Sequence, residues 1–188
     1  VYDPRKELKR YTTTDLLEIV KNQPTRMVVI TGGEPLLQGS RLVSLLFELL
    51  NAGYRIEIET NGTILPAWSK TSLGLELLED IHFNVSPKLS NSGNDVLKRI
   101  NPKAMDWFVA NPNAVFKFVC LNEKDLKEIE AYQYDFEIPS SRIYVMPEGR
   151  SNSEIQNHLG LLASSVLRKE WNLTTRLQVV LYGDRRGV

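Results

Sequence analysis

Four short stretches hold the residues that can do chemistry: Thr31-Gly32-Gly33-Glu34, Glu59-Thr60-Asn61-Gly62, Ser86-Pro87-Lys88 and Met146-Pro147-Glu148-Gly149. In the first, two glycines let the backbone approach another molecule and expose its N–H and C=O groups. Glu34 adds a negative charge beside them. A carboxylate next to exposed backbone acceptors suits an ammonium group better than a phosphate, because phosphate-cradling glycine loops carry lysine or present bare helix N-termini. Glu59 closes "RIEIE", where Glu57 and Glu59 share the face opposite Ile56 and Ile58. Two carboxylates on one strand face fit either an edge strand or a strand end that accepts hydroxyls and amines. Lys88 is free to pair with a ligand carboxylate, or with Glu59 or Glu34. Each stretch has a routine reading as well. Glycine after a strand is often a turn, Pro35 starts a helix, and Asn61-Gly62 is a common turn dipeptide. What sets the four apart is their equivalent position after successive apolar runs.

Those runs define the elements that must hold the four stretches. The pattern predicts helices over Thr12–Asn22, with Thr13 or Thr14 as cap, and over Ser40–Ala52, where five leucines fall at helical spacing before Gly53. Strands are predicted at Met27–Thr31, "YRIEIET", "IHFNVSPK", "AVFKFVC" and "RIYVMPEG", with a last one at "RLQVVLYGD". Between them lie two short helices in "NDVLKRI" and "PKAMDWFVA", a charged one in "NEKDLKEIEAYQYDF" and a long one over Ser151–Trp171. Leu65–Leu78 is the least readable part and receives no functional residue. Strand–helix alternation of this kind builds a parallel sheet, and right-handed crossovers put all the strand-to-helix loops on one edge. Parallel sheets bind ligands at that edge. No linker divides the chain, so Val1–Val188 reads as one domain.

Composition narrows the partners. Basic and acidic residues balance at 23 each in 188 residues, so no overall basic field points to nucleic acid. No apolar run approaches the roughly 18 residues of a membrane span. A single cysteine permits no internal disulfide and agrees with a reducing, cytoplasmic setting. His82 and His158 share no ligand-type spacing.

In order along the chain, "TGGEP", "ETNGT", "VSPKLSNSG", "YVMPEG" and "LQVVLYGDRRGV" resemble the radical S-adenosylmethionine superfamily, and within it the 7-carboxy-7-deazaguanine synthase family. The resemblance runs from "VYDPRKELKR" to the last residue. It implies an α/β fold, a partial parallel (β/α) barrel of the radical S-adenosylmethionine type, here without its first strand and cluster loop. It implies that Gly32, Gly33 and Glu34 bind the amino group of S-adenosylmethionine. Ser86, Pro87, Lys88, Met146, Pro147, Glu148 and Gly149 would line the same cofactor's site, and Glu59 and Asn61 would contact its ribose or amino acid part. Thr31 would touch a pterin substrate, and Val188 would reach into the substrate pocket. The implied lyase reaction turns 6-carboxy-5,6,7,8-tetrahydropterin into 7-carboxy-7-deazaguanine with loss of ammonia. A [4Fe–4S] cluster with S-adenosylmethionine supplies a hydrogen-abstracting radical, and Mg2+ assists. A homodimer served by an external electron donor is implied as well.

The superfamily holds its cluster on three cysteines spaced C-x3-C-x2-C. This chain has only Cys120, in "FKFVC", which reads as a small buried apolar residue. In the family the cysteine loop and a magnesium-binding threonine lie upstream of the part matching "YDPRKE". The expectation is therefore an enzyme without its N-terminal segment, with neither cluster nor metal ligands in Val1–Val188. Two other readings stay open: a cluster-free relative binding a nucleoside-type ligand, and a different radical enzyme that shares "GGEP". "SPKLSNSG" and the C-terminal phrase speak against the second.

Overall fold

A computed structural model of the chain describes residues 8–70 and 80–185. Among the described residues six strands form one sheet: β1 (Met27–Ile30), β2 (Arg55–Thr60), β3 (Ile81–Val85), β4 (Ala114–Cys120), β5 (Ile143–Pro147) and β6 (Asn172–Leu173). They hydrogen-bond in sequence order, and every neighbouring pair is parallel. This is the winding of a (β/α) barrel, left open among the described residues. A sheet wound in one direction by crossovers of one hand carries its helices on one face. Alternation along the strands sorts the side chains accordingly. Ile56, Ile58, Phe83, Phe116, Phe118 and Ile143 are buried on the helix side. Glu57, Glu59, Asn84, Lys117 and Tyr144 point the other way and are half-buried. β2 lies between β1 and β3, so an edge position does not explain its two glutamates.

The helices are α1 (Thr13–Lys21), α2 (Ser40–Asn51), α3 (Val96–Arg99), α4 (Pro102–Ala110), α5 (Glu123–Phe136), α6 (Asn152–Arg168) and α7 (Leu177–Tyr182). Thr12, not Thr13 or Thr14, caps α1. Its hydroxyl accepts from Asp15 N at 3.1 Å while the Asp15 carboxylate accepts from Thr12 N at 2.8 Å. That reciprocal pair requires a cap three residues before the acid. Leu42, Leu46 and Leu49 of α2 and Ile129 of α5 enter the core with Phe108 of α4 and Leu162 of α6.

Arg142 locks the start of β5 to β4. Its guanidinium donates to the carbonyls of Ala114 (2.7 Å), Val109 (2.8 Å), Phe108 (3.0 Å) and Asn111 (2.6 Å), and it lies over the Phe116 ring.

The predicted strand "RLQVVLYGD" is instead α7. The place beside β5 is taken by Asn172–Leu173, where Asn172 Nδ2 donates to the carbonyls of Ser141 (2.8 Å) and Ile143 (3.0 Å). Thr174 N extends the pairing to Val145 O at 2.9 Å before the chain turns. A run of four apolar residues without alternation fits a short helix as well as a strand. Much of Leu65–Leu78 lies outside the described residues.

Candidate functional site

The four polar stretches meet at the C-terminal edge of the sheet. After β1, Gly32 adopts φ +141°, a conformation that side-chain-bearing residues rarely reach, and open space faces both it and Gly33. Glu34 then caps the 3₁₀ turn Pro35–Gln38 by accepting from Leu36 N at 3.2 Å. The same carboxylate accepts from Thr60 Oγ1 and from Asn61 N, both at 2.8 Å. Glu34 thus bolts the turn after β1 to the end of β2. The exposed backbone of Gly32 and Gly33 lines the cavity, and the Glu34 carboxylate sits behind it.

Glu59 is held from two sides. Thr31 Oγ1 donates to its Oε2 at 3.1 Å, and Lys117 Nζ lies 3.4 Å from its Oε1. Next to it on the open face, Asn84 Nδ2 donates to Glu57 Oε2 at 3.1 Å. Thr31, Gly32, Glu59, Asn61 and Lys117 share a cavity of about 480 Å³ with Ser86, Lys88 and Met146. A second cavity, of about 530 Å³, takes in Pro87, Asn91, Asn94 and Glu148. Ser86, Lys88, Val119 and Arg176 form the wall common to both. The joint space suits a cofactor and a small substrate together. A more open depression of about 770 Å³ lies at the end of α5 and touches no strand end.

The loop carrying Lys88 is pinned from below. Arg99 donates to Lys88 O at 3.1 Å and Tyr132 donates to the same carbonyl at 3.4 Å. Glu128 accepts from Ser90 N (2.9 Å) and Ser90 Oγ (2.7 Å) and forms a short ion pair with Arg99. Lys88 itself opens to solvent, yet its ammonium sits low enough in the cavity for burial to push its pKa down. The charge of Arg176, and less that of Lys117, adds to this, and Glu34 and Glu59 oppose it.

Three expected site residues lie outside both cavities: Glu34, whose carboxylate is taken up by Leu36 N, Thr60 and Asn61 N, and Pro147 and Gly149. Pro147 is buried in register with Cys120 of β4. Gly149 packs on the first turn of α6, where a Cβ would come within 2.9 Å of Ile155 Cγ1. Packing alone accounts for that glycine. His158 Nδ1 donates to Glu148 O at 2.6 Å and holds the loop after β5. Val188 falls outside the described residues. Lys117, Asn84 and Arg176 were not foreseen. A lysine at the centre of the apolar "AVFKFVC" was a legible sign of an inward-facing cation. Arg176 was masked by the misassigned last strand.

No cluster of three or more His, Cys, Asp or Glu suited to a metal occurs among the described residues. Cys120 is buried on the helix side, and burial, reinforced by Asp125 and Glu128, pushes its thiol pKa strongly up. A protonated, enclosed thiol is the opposite of a cluster ligand. The residues present therefore do not fit a [4Fe–4S] group. They do fit an amino acid-bearing cofactor, with bare glycine backbone on one side and free cations on the other.

No family model matches the chain. A protein of Hyperthermus butylicus named 7-carboxy-7-deazaguanine synthase is 36% identical over 172 residues, covering 87% of this chain and 68% of its own length. One of the same name from Pyrobaculum aerophilum is 32% identical over 160 residues, covering 85% and 67%. A third, from Rhodopirellula baltica, is 30% identical over 190 residues, covering 95% and 70%. The chain thus spans about two thirds of the curated relatives it matches. In fold it resembles QueE from Escherichia coli, with TM-score 0.64 and 21% identity over 88% of this chain and 64% of that one. It also resembles Streptococcus suis SuiB bound to S-adenosylmethionine, with TM-score 0.62 and 16% identity over 90% and 43%.

Proposed function

The chain belongs to the 7-carboxy-7-deazaguanine synthase family, and from that premise we infer that it forms the S-adenosylmethionine and substrate site of a radical lyase. The reaction is the ring contraction of 6-carboxy-5,6,7,8-tetrahydropterin to 7-carboxy-7-deazaguanine with loss of ammonia. The observation that carries this reading is the convergence of Gly32, Gly33, Glu59, Asn61, Ser86, Lys88 and Met146 on one cavity at the ends of four parallel strands.

S-Adenosylmethionine, when bound, supplies the radical that takes a hydrogen atom from the substrate. The protein's own work is to bind, orient and exclude solvent. The backbone carbonyls of the glycine turn accept from the cofactor's ammonium, with Glu34 fixing that turn in place. Lys88 attracts a carboxylate. Pro87 and Glu148 border the second compartment, Glu59 and Asn61 contact the ribose or amino acid part of the cofactor, and Thr31 approaches the pterin. Pro147 and Gly149 act through packing, by fixing the course of the chain around Glu148. Cys120 alone cannot ligate the family's [4Fe–4S] cluster, so no described residue is assigned to the cluster or to Mg2+. The chain is read as one domain of a cytoplasmic homodimer served by an external electron donor. The exposed Leu177, Leu181 and Tyr182 of α7 are compatible with a subunit contact, and no described helix is long and apolar enough to cross a membrane.

The direct test supplies the cluster-loaded protein with S-adenosylmethionine, a reductant, Mg2+ and 6-carboxy-5,6,7,8-tetrahydropterin. Ammonia and 7-carboxy-7-deazaguanine should appear in equal amounts. A fully loaded protein that cleaves S-adenosylmethionine but leaves the pterin intact overturns the assignment. Replacing Cys120 by Ala should leave iron and sulfide content unchanged.

A further inference from the structure

Arg176 is a half-buried guanidinium with five N–H donors and no hydrogen-bond partner among the described residues. Arg142, equally half-buried, donates to four carbonyls, and Arg99 is bound to Glu128 and to Lys88 O. Unused donors on a partly desolvated cation are costly unless something comes to accept them.

The surroundings say what that something is. Arg176 and Lys88 stand on the wall shared by the two cavities. The charges of the first cavity are already matched: Lys117 by Glu59, and Glu34 by Leu36 N, Thr60 and Asn61 N. Glu148 lines the second cavity with Arg176 and Lys88, but no ion pair joins it to either among the described residues. Two like charges are left to repel each other, and the downward pull of Arg176 on the Lys88 ammonium reports that repulsion. Thr174, Thr175 and Gln178, which line the first cavity with Arg176, are neutral. An anion between the two cations relieves the repulsion and fills the empty donors. A planar fork facing a point charge selects a carboxylate, which it holds by two parallel bonds.

We propose that Arg176 is a specificity-determining residue that, with Lys88, clamps a ligand carboxylate at the boundary of the two cavities. This rests on the synthase reading, in which two ligands bear a carboxylate: the methionyl part of S-adenosylmethionine and the 6-carboxyl of the pterin.

Calorimetric titration of wild type, R176Q and R176K with two stable ligand pairs tests the clamp. One pair is S-adenosylhomocysteine and 5′-methylthioadenosine, which lacks the amino acid carboxylate. The other is 6-carboxypterin and pterin. R176Q should weaken at least one carboxylate-bearing ligand by about ten- to a hundredfold and leave its carboxylate-free counterpart within about twofold. R176K, keeping the charge without the fork, should recover part of the loss. Weakening of S-adenosylhomocysteine alone assigns the clamp to the methionyl group, and weakening of 6-carboxypterin alone assigns it to the substrate. Unchanged affinities in both variants overturn the clamp while sparing the synthase reading. So does equal weakening of carboxylate-bearing and carboxylate-free ligands, the mark of a merely structural arginine. Failure of wild type to bind either carboxylate ligand overturns the synthase reading and the clamp with it.

Discussion

The two faces of the sheet are made from the same strands and obey opposite rules. Toward the helices, Ile58, Phe83, Phe116, Phe118 and Val145 are at most 1% exposed, and no charge interrupts them. Toward the open side, the alternate positions of β2, β3 and β4 include Glu57, Glu59, Asn84 and Lys117, tied into pairs and left half-buried. A protein selected only for stability has no use for the second set, because paired charges in a partly dry site roughly break even with apolar replacements. The helix side stores the folding free energy, and the open side spends part of it on a ligand.

Breaking the first face should have the largest effect. Phe116→Ala removes a fully buried ring that also lies under Arg142, and should cost about 3–5 kcal/mol in urea unfolding. Lys117→Met, on the adjacent position of the same strand, should cost less than about 1 kcal/mol. If the two losses prove equal, the distinction between the faces fails.

The next effect lies where the faces meet. Gly62 has φ +76°, and an added Cβ would stand 2.7 Å from Val85 Cγ1. Gly62→Ala should destabilise by about 1–3 kcal/mol, from strain at the turn and overpacking. Glu34→Gln should lose about 1–3 kcal/mol as well, since one end of an amide presents N–H to Asn61 N–H and leaves that donor unsatisfied. It should also weaken S-adenosylhomocysteine, by loosening the glycine turn. A Glu34→Gln protein of unchanged stability but no affinity would mean that the carboxylate touches the ligand and does not serve as a bolt.

The sequence displayed the helix face more fully than the open one. Apolar runs that stop on turn residues marked five strands, and leucine spacing marked α2, because burial writes itself into residue type. The glycine and Ser-Pro-Lys stretches were legible for a related reason, since backbone geometry restricts which residues fit. Arg176 and the Glu59–Lys117 pair were not legible. An ion pair 58 residues apart in sequence depends on strand order. The short apolar run of α7 took its form from Asn172 occupying the sheet edge first.

The smallest effect is also the most diagnostic, because its sign reverses with ligand. The folded-state pKa of Lys88 is lowered from its ordinary 10.5, first by burial and then by Arg176. An unfolded lysine keeps a value of about 10.4. Between the two values the unfolded chain binds more protons, so this residue's contribution to stability rises with pH. Its charged form is therefore a burden on the empty protein at neutral pH, relieved as pH climbs through the folded pKa toward that of the unfolded chain. Lys88→Met keeps the aliphatic stem and removes the charge. Without ligand, the variant should be at least as stable as wild type at pH 7, and the gap should close by pH 10. With saturating S-adenosylhomocysteine the order should invert, because the ligand supplies the anion that the site lacks. Denaturant titrations at both pH values, with and without ligand, resolve the four stabilities. A Lys88→Met protein less stable than wild type in the empty state would place Lys88 among the residues that hold the fold, and the open face would then lose its clearest example of a charge kept for a partner.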